Sequence, residues 1–493
     1  MTERGLHMKL NELKTAFQII ETSGNFDCDI LDVIVDSRKS APGKMFVCID
    51  GFTTDGHRFI GDAVKSGVSA LLVTKMPPKD LVGDTAVIRV DDTRLALAQA
   101  SDKLYNHPSG RLDLIGITGT KGKTTTSYML RSIYTAAGKT GGLVGTIQNM
   151  IGDEVLHTER TTPEANDLQY LLNEMTNRDI DHCIMEVSSQ GLNLNRVACC
   201  EYKASIFTNL SPDHIGPSEH KDMDDYAAAK AKLFTMSEIG VINGDSPYGE
   251  VMSATATGKV YTYGIDNEKC DYRAINIVKA SDRVEYDILC GDRLDGTHVV
   301  VPIPGKFSVY NSLSAAVTAH LMGIDVSCIL QGLSKVFVPG KAENVPTGRD
   351  FSVLIDYAHN PDSFINIITT VKEYAKRTVF LFGCGGDRNR PRHLMGETAG
   401  KYADFSIITS DNPRTEDPAS IVKDLEEGIK TTGAPYICIV DRREAIKYAV
   451  KNAQPGDVII LAGKGHETYQ IFKDKTVHFD EREVVREALE ELD

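Results

Sequence analysis

The sequence predicts an α/β protein of three domains, with a central domain on a P-loop-type parallel sheet and a Rossmann-like C-terminal domain. Three observations predict it. At 493 residues the chain is longer than one core serves, and the size of ordinary domains gives about three. Apolar runs of strand length alternate with helical segments from Leu112 onward and again through the last third, the pattern of parallel strands joined by crossover helices. Between one such strand and the next helix stands "GITGTKGKTTT", Gly116 to Thr126, a glycine-rich turn carrying a lysine and hydroxyls.

Taken in order, residues 1–108 hold short strand-like runs, "VIVDS" and "KMFVCI", and then "FIGDAVKSGVSALLV", a helix leading into a strand. "NHPSG", Asn106 to Gly110, has linker composition and ends this first domain. Residues 109–342 form the second, with strands expected in "DLIGIT", "HCIMEVSS", "ASIFTNLS" and "GVING". The alternating runs between Lys259 and Pro304 predict a small antiparallel insertion, after which "FSVYNSLSAAVTAHLMGI" returns to helix. Proline and glycine in "VFVPGKAENVPTG" mark the next boundary. In residues 343–493 each apolar run ends in a polar or glycine-bearing loop: "FSVLIDYAHN", "RTVFLFGCGGDR", "FSIITSDNPR", "DVIILAGKGHE". Ligands of open α/β sheets bind outside the carboxyl ends of the strands, so these loops should gather on one edge. The helix after the third run starts with Asp417 as cap and Pro418 at its first position.

Composition narrows the classes of function. A net charge of −15 argues against nucleic acid, which requires a basic face. Ten cysteines without a CxxC or a Cys/His cluster at zinc spacing fit a reduced compartment. The charged N-terminal stretch lacks the apolar core of a secretory signal and no run reaches transmembrane length, so a cytoplasmic protein with no membrane contact is expected.

The nucleotide loop departs from the usual spacing. A strict P-loop needs glycine at position 117, where Ile117 stands. The context of strand, turn and helix is intact, so Gly119, Thr120, Lys121, Gly122, Lys123, Thr124 and Thr125 are expected to cradle phosphates, Lys123 as a point charge and Thr124 as a hydroxyl for Mg²⁺. Glu186, just beyond a buried strand, is placed to hold the same ion. His214 follows the next strand, and Lys230 comes sixteen residues later, an odd partner for a metal that prefers oxygen.

With these motifs together the sequence resembles the Mur ligases, ATP-dependent amide-forming enzymes of peptidoglycan precursor synthesis, over nearly the whole chain, from "DSR" at Asp36 to "AGKGHE" at Gly463. The family's loop reads T-G-T-x-G-K-T-T, which accounts for Ile117. The resemblance implies ATP and two Mg²⁺ ions, with Thr124 and Glu186 serving one ion, and His214 and a carbamylated Lys230 serving the other; Lys123, His214 and Lys230 are then the catalytic set. It implies contacts of Ser37, Thr53 and Thr54 with a uridine nucleotide, of Thr161, Thr162, Ser188 and Arg196 with a muramoyl-dipeptide, and of Asn311 and Asp356 with ATP. It further implies that Arg388, Asp411, Asn412, Pro413, Arg414, Gly463 and Glu467 receive meso-diaminopimelate. Arg414 would clamp the distal carboxylate that lysine lacks, and Asn412 would orient the distal amine. The expected substrates are therefore UDP-N-acetylmuramoyl-L-alanyl-D-glutamate and meso-diaminopimelate, handled by a monomer. Family members that add L-lysine or another amino acid, and a nucleotide-binding module without ligase activity, are the alternatives. Departures from the family pattern cluster between the expected metal ligands, where "DHIGPSEH" stands, and at Lys121, Gln190 and Lys341.

Overall fold

The computed structural model describes residues 7–51, 54–213, 215–216, 219–280, 282–387 and 390–492. It divides into two compact units, one of residues 1–273 with 314–325, the other of residues 274–313 with 326–493.

Among the described residues the first unit holds strands of two larger sheets besides the two-stranded pairing of Met8–Lys9 with Asp29–Ile30. The smaller orders its strands Glu21–Ser23, Ala86–Arg89, Ala70–Val73, Lys44–Val47 and Asp32–Ile34, parallel except for the antiparallel edge strand Glu21–Ser23. Met45, Val47, Leu72 and Ile88 pack on one face while Phe46, Leu71, Val73 and Val87 pack on the other, which is why these strands are apolar at nearly every position. In the larger sheet Asp113–Thr118 is central, flanked in parallel by His182–Glu186 and Tyr202–Phe207. Gly142–Val144 lies beyond the first neighbour and Ser237–Asn243 beyond the second, also parallel.

One strand expectation is corrected. Lys259–Gly264 is a further parallel strand beside Ser237–Asn243 rather than part of an antiparallel insertion. Its burial grades from exposed Lys259 to buried Tyr263 and Gly264 instead of alternating, so the polar–apolar alternation of its sequence does not report the direction of its partner. The antiparallel pairing falls later, between Val284–Leu289 and His298–Val301 of the second unit.

The second unit's main sheet runs Glu343–Val345, Ser352–Asp356, Asp457–Ala462, Arg377–Phe382, Phe405–Ile408 and Tyr436–Cys438, parallel apart from its first strand. Because the middle strands are parallel, the loops after Asp356, Phe382, Ile408 and Ala462 emerge along one edge. Two of the helices that follow are started by side chains: Asn360 and Ser363 form a reciprocal capping box before Pro361–Lys372, and Asp417, the cap that the sequence predicts, accepts from Ser420 N at the head of Pro418–Lys430. Among the described residues no helix is long and apolar enough to cross a membrane.

Candidate active site

The first unit gathers the phosphate-loop chemistry. Strand Asp113–Thr118 delivers the chain into the turn 119–122, and Lys123–Ala136 is the helix that follows. Gly119 has φ 145° and Gly122 φ 89°, and a Cβ on Gly119 would lie 1.9 Å from Thr208 Oγ1. Only glycine makes this turn against the neighbouring strand end. Thr208 and Asn209, which end that strand, tie the loop down: Thr208 Oγ1 donates to Lys121 O at 2.6 Å, Asn209 Oδ1 accepts from Lys121 N at 3.1 Å, and Asn209 Nδ2 donates to Lys121 O at 3.0 Å. The helix's opening amides, from Gly122 to Thr125, have no intrahelical acceptor and carry the positive end of the helix dipole. Lys123 Nζ folds back onto the carbonyls of Gly119 and Thr120, at 2.8 and 3.0 Å.

Glu186 ends its strand 1% exposed. Its carboxylate accepts from Thr124 Oγ1 at 3.0 Å and from Thr146, whose N lies 3.0 Å and Oγ1 2.9 Å away. A buried carboxylate against the loop hydroxyl is a pair of hard oxygen donors of the kind magnesium prefers. Thr146 Oγ1 is 3.0 Å from Thr161 Oγ1, and Thr162 Oγ1 bridges Glu186 O and Ser188 N, each at 3.0 Å. The predicted dipeptide contacts Thr161, Thr162 and Ser188 are thus built directly onto the acidic strand end. Arg196 joins them, with Nη1 3.1 Å from Thr162 O and Nη2 2.9 Å from Glu164. Arg94 and Arg160 also approach Glu164, at 3.7 and 3.9 Å, so three guanidiniums face one carboxylate and the corner is net positive.

Lys230, on helix Met223–Ala231, is 1% exposed. Its Nζ donates to Gly119 O at 2.9 Å and lies 4.6 Å from the centre of the Tyr226 ring. Burial, and then the nearby charge of Lys123, push its pKa well below the usual lysine value. Tyr226 OH in turn meets Thr120 Oγ1 at 3.3 Å. Lys230 therefore sits against the phosphate loop as a lysine biased towards its neutral form. His214 lies outside the described residues, and so do Thr53 and Arg388. Ser37 opens a short helix capped by Asp36, and Thr54 is exposed, its carbonyl accepting from Gly51 N.

The second unit forms a pocket at its sheet edge from Tyr357, His359, Cys384, Arg390, Asp411, Asn412, Arg414, Gly463 and Glu467. Five of the residues predicted for the amino acid are thus in or beside one cleft with Pro413 between Asn412 and Arg414. Arg414 has φ 56°, its N donates to Ile471 O at 3.0 Å, and its buried Nε has no partner among the described residues. A guanidinium with an unmet donor at a pocket wall suits a carboxylate. Asn412 Oδ1 accepts from Ile471 N at 3.0 Å and from Lys464 Nζ at 3.3 Å, while its Nδ2 donates to Glu467 Oε2 at 2.8 Å. The amide oxygen expected to orient an amine is therefore engaged by the protein, which leaves Glu467 as the acceptor for an ammonium.

His359 Nδ1 faces Tyr357 O at 2.7 Å, and burial with the charge of Arg390 lowers its pKa to about 4, so the ring is neutral. Asp356 uses its carboxylate to hold Ala342 N and Ala358 N, both at 2.8 Å. Asn311 is buried on helix Lys306–Leu321. Below the pocket the fully buried pair Arg442–Glu481 reaches Ser410 O and Ala462 O, the carbonyls just before the two loops.

Three family patterns match along the chain: the Mur ligase family catalytic domain over residues 30–105, the Mur ligase middle domain over 117–319, and the Mur ligase glutamate ligase domain over 342–465. A protein of Caldanaerobacter subterraneus subsp. tengcongensis named UDP-N-acetylmuramoyl-L-alanyl-D-glutamate--2,6-diaminopimelate ligase is 49% identical over 474 residues, covering 96% of this chain and 97% of its own length. The chain belongs to the Mur ligase family. A Clostridioides difficile protein of the same name is 42% identical over 492 residues, covering 98% of the chain and 100% of the relative. A solved structure with this ligase name superposes with a TM-score of 0.71 at 29% identity, covering 96% of this chain and 97% of that one. The Mur ligase MurF of Thermotoga maritima in complex with ADP gives a TM-score of 0.60 at 15% identity over 93% and 97% of the two chains, a likeness of fold alone.

Proposed function

We propose that this Mur ligase joins meso-diaminopimelate to UDP-N-acetylmuramoyl-L-alanyl-D-glutamate in peptidoglycan precursor synthesis, driven by ATP through an acyl phosphate. The observation that carries the amino-acid assignment is the Arg414 pocket, where an unmet guanidinium donor and the Glu467 carboxylate share one cleft, as a distal carboxylate and ammonium require. The residue-level roles expected from the sequence belong to this proposal, as do the domain limits 1–108, 109–342 and 343–493 and a monomer acting in the cytoplasm.

The substrate carboxylate attacks the γ-phosphoryl of ATP, giving ADP and an acyl phosphate. The amine then attacks the acyl carbon, phosphate leaves, and an amide remains. Two anions must meet in the first step. The amides opening helix Lys123–Ala136 and the Lys123 ammonium offset that repulsion, Lys123 exchanging the loop carbonyls for phosphate oxygens. Thr124 and Glu186 fit a magnesium ion, which when bound there would neutralise phosphate charge. The positive corner of Arg94, Arg160 and Arg196 suits an acidic precursor.

Lys230 reads as the carbamylated lysine. A neutral amine is what attacks CO₂: the N–C bond forms, a proton leaves, and the cation site becomes an anionic oxygen donor. Its buried place against Gly119 O supplies that amine. With His214 it would serve a second ion, as the family resemblance implies.

The test is phosphate release from ATP with the UDP-linked dipeptide and, in parallel, meso-diaminopimelate, L-lysine or no amino acid. Release with diaminopimelate far above that with L-lysine, and none without an amino acid, is expected. Equal release with L-lysine would overturn the amino-acid assignment, and release independent of any amino acid would overturn the ligase reading.

A further inference from the structure

Lys464 has no part in the roles assigned above, yet it is fully buried directly behind the amino-acid pocket. Its Nζ lies 3.3 Å from Asn412 Oδ1, 3.3 Å from Glu467 Oε2 and 3.8 Å from Asp411 Oδ1, and 5.6 Å from the centre of the Tyr469 ring. The orientation of Asn412 is fixed independently. Ile471 N, a donor only, approaches Oδ1 at 3.0 Å, so the amide oxygen faces Lys464 and the amide nitrogen faces Glu467. Asp411 is held from its own side by Gln470 Nε2, which donates to Asp411 O at 2.7 Å. One nitrogen thus joins three pocket side chains carried by two loops, 411–414 and 463–467, that follow non-adjacent strands.

We propose that Lys464 is a positioning residue that sets the preference of this pocket for an amino acid bearing a distal carboxylate. The inference rests on the ligase reading given above. Two effects combine in it. The triangle Lys464–Asn412–Glu467 fixes which oxygen of Glu467 is engaged by the protein and keeps the other for the ligand. The charge of Lys464 also offsets that of Asp411 and Glu467, so the pocket admits a second carboxylate beside Arg414. Without that charge the two acids dominate the wall. The ligand's distal carboxylate is then repelled, whereas the bare side-chain ammonium of L-lysine is not.

The experiment compares wild type, Lys464→Met, Lys464→Arg and the double variant Lys464→Met/Glu467→Gln in phosphate release with meso-diaminopimelate and with L-lysine. Borohydride-trapped acyl phosphate, formed before the amino acid is needed, reports whether the first unit still works. In Lys464→Met, KM for diaminopimelate is expected to rise at least tenfold, with trapping unchanged and the kcat/KM ratio of diaminopimelate to L-lysine at least tenfold lower. The double variant, with one acid removed, recovers part of that ratio, and Lys464→Arg, which keeps the charge, loses less of it. Equal loss with both amino acids, or a ratio unchanged in Lys464→Met and Lys464→Arg, overturns the proposal while wild-type use of diaminopimelate leaves the ligase reading standing. A wild type that ignores diaminopimelate overturns both.

Discussion

At the scale of single residues, two side chains in unusual surroundings carry the sharpest consequences. Arg414 stands at a pocket wall with a buried donor unmet, and a site built to pair a polar group rejects ligands that lack it by about 10⁴-fold. Arg414→Ala should therefore lower kcat/KM for meso-diaminopimelate by at least about 10³-fold while KM for ATP stays put, the difference from 10⁴ allowing for residual contacts. Unchanged diaminopimelate use would remove Arg414 from the substrate. Lys230 is the other. Lys230→Ala should cost at least about 10²-fold in kcat, the scale of one lost electrostatic group. It should regain activity with formate or acetate, which supply a carboxylate where the carbamate is proposed. Failure of every short acid to rescue, with loop and nucleotide affinity intact, would argue that Lys230 acts as the amine it is in isolation. Both residues were legible in the sequence because their neighbours spell motifs. Lys464 was not. The glycines and glutamate around it in "AGKGHE" draw the reading, and its burial follows from strand Asp457–Ala462 lying between Ser352–Asp356 and Arg377–Phe382, an order that no local pattern encodes.

At the scale of elements, what distinguishes the nucleotide loop is its fit against the next strand. The sequence predicts a strand, a turn and a helix at 112–126, and the structure has them. It does not predict that Thr208 and Asn209, ninety residues on, hold the turn, because the pairing of Asp113–Thr118 with Tyr202–Phe207 is a tertiary fact. Gly119→Ala places a Cβ 1.9 Å from Thr208 Oγ1 at φ 145°, so the turn must shift. Nucleotide affinity should fall at least about tenfold, as expected where backbone amides must converge on phosphate, while thermal unfolding moves by only a few degrees. Titration with ADP measures this, and an unaltered affinity would show that the loop amides do not carry the nucleotide. The Lys259–Gly264 strand teaches the complementary lesson. Alternation of polar and apolar residues leaves the direction of the partner open, so a strand whose sequence predicts antiparallel pairing lies parallel to its neighbour within the sheet.

At the scale of the whole molecule, the alternation of strand and helix predicts the parallel sheets around Asp113–Thr118 and Ser352–Asp356, whereas the grouping of residues 1–108 with the central sheet in one compact unit and of residues 274–313 with the C-terminal unit was not legible, since it depends on contacts distant in sequence. Folding also stores a dependence on pH that sequence does not show. His359 and His466 both have pKa values lowered to about 4, chiefly by burial, whereas an unfolded histidine titrates near 6.5. Between these values the unfolded chain binds protons that the folded chain refuses. Stability therefore falls as pH drops from about 6.5 towards 4, and these rings contribute no slope above about pH 7. For His359, the more deeply buried, the full shift corresponds to roughly 3 kcal/mol. His359→Gln should remove that share: its thermal midpoint should decline less than that of wild type between pH 7 and 4.5, with the two curves parallel above pH 7. Carboxylates held low by ion pairs, Glu416 beside Arg392 among them, titrate in both proteins and cancel in the difference. Identical declines would mean that His359 takes up its proton over the same pH range in the folded chain as in the unfolded one, and the lowered value assigned to its ring would have to be given up.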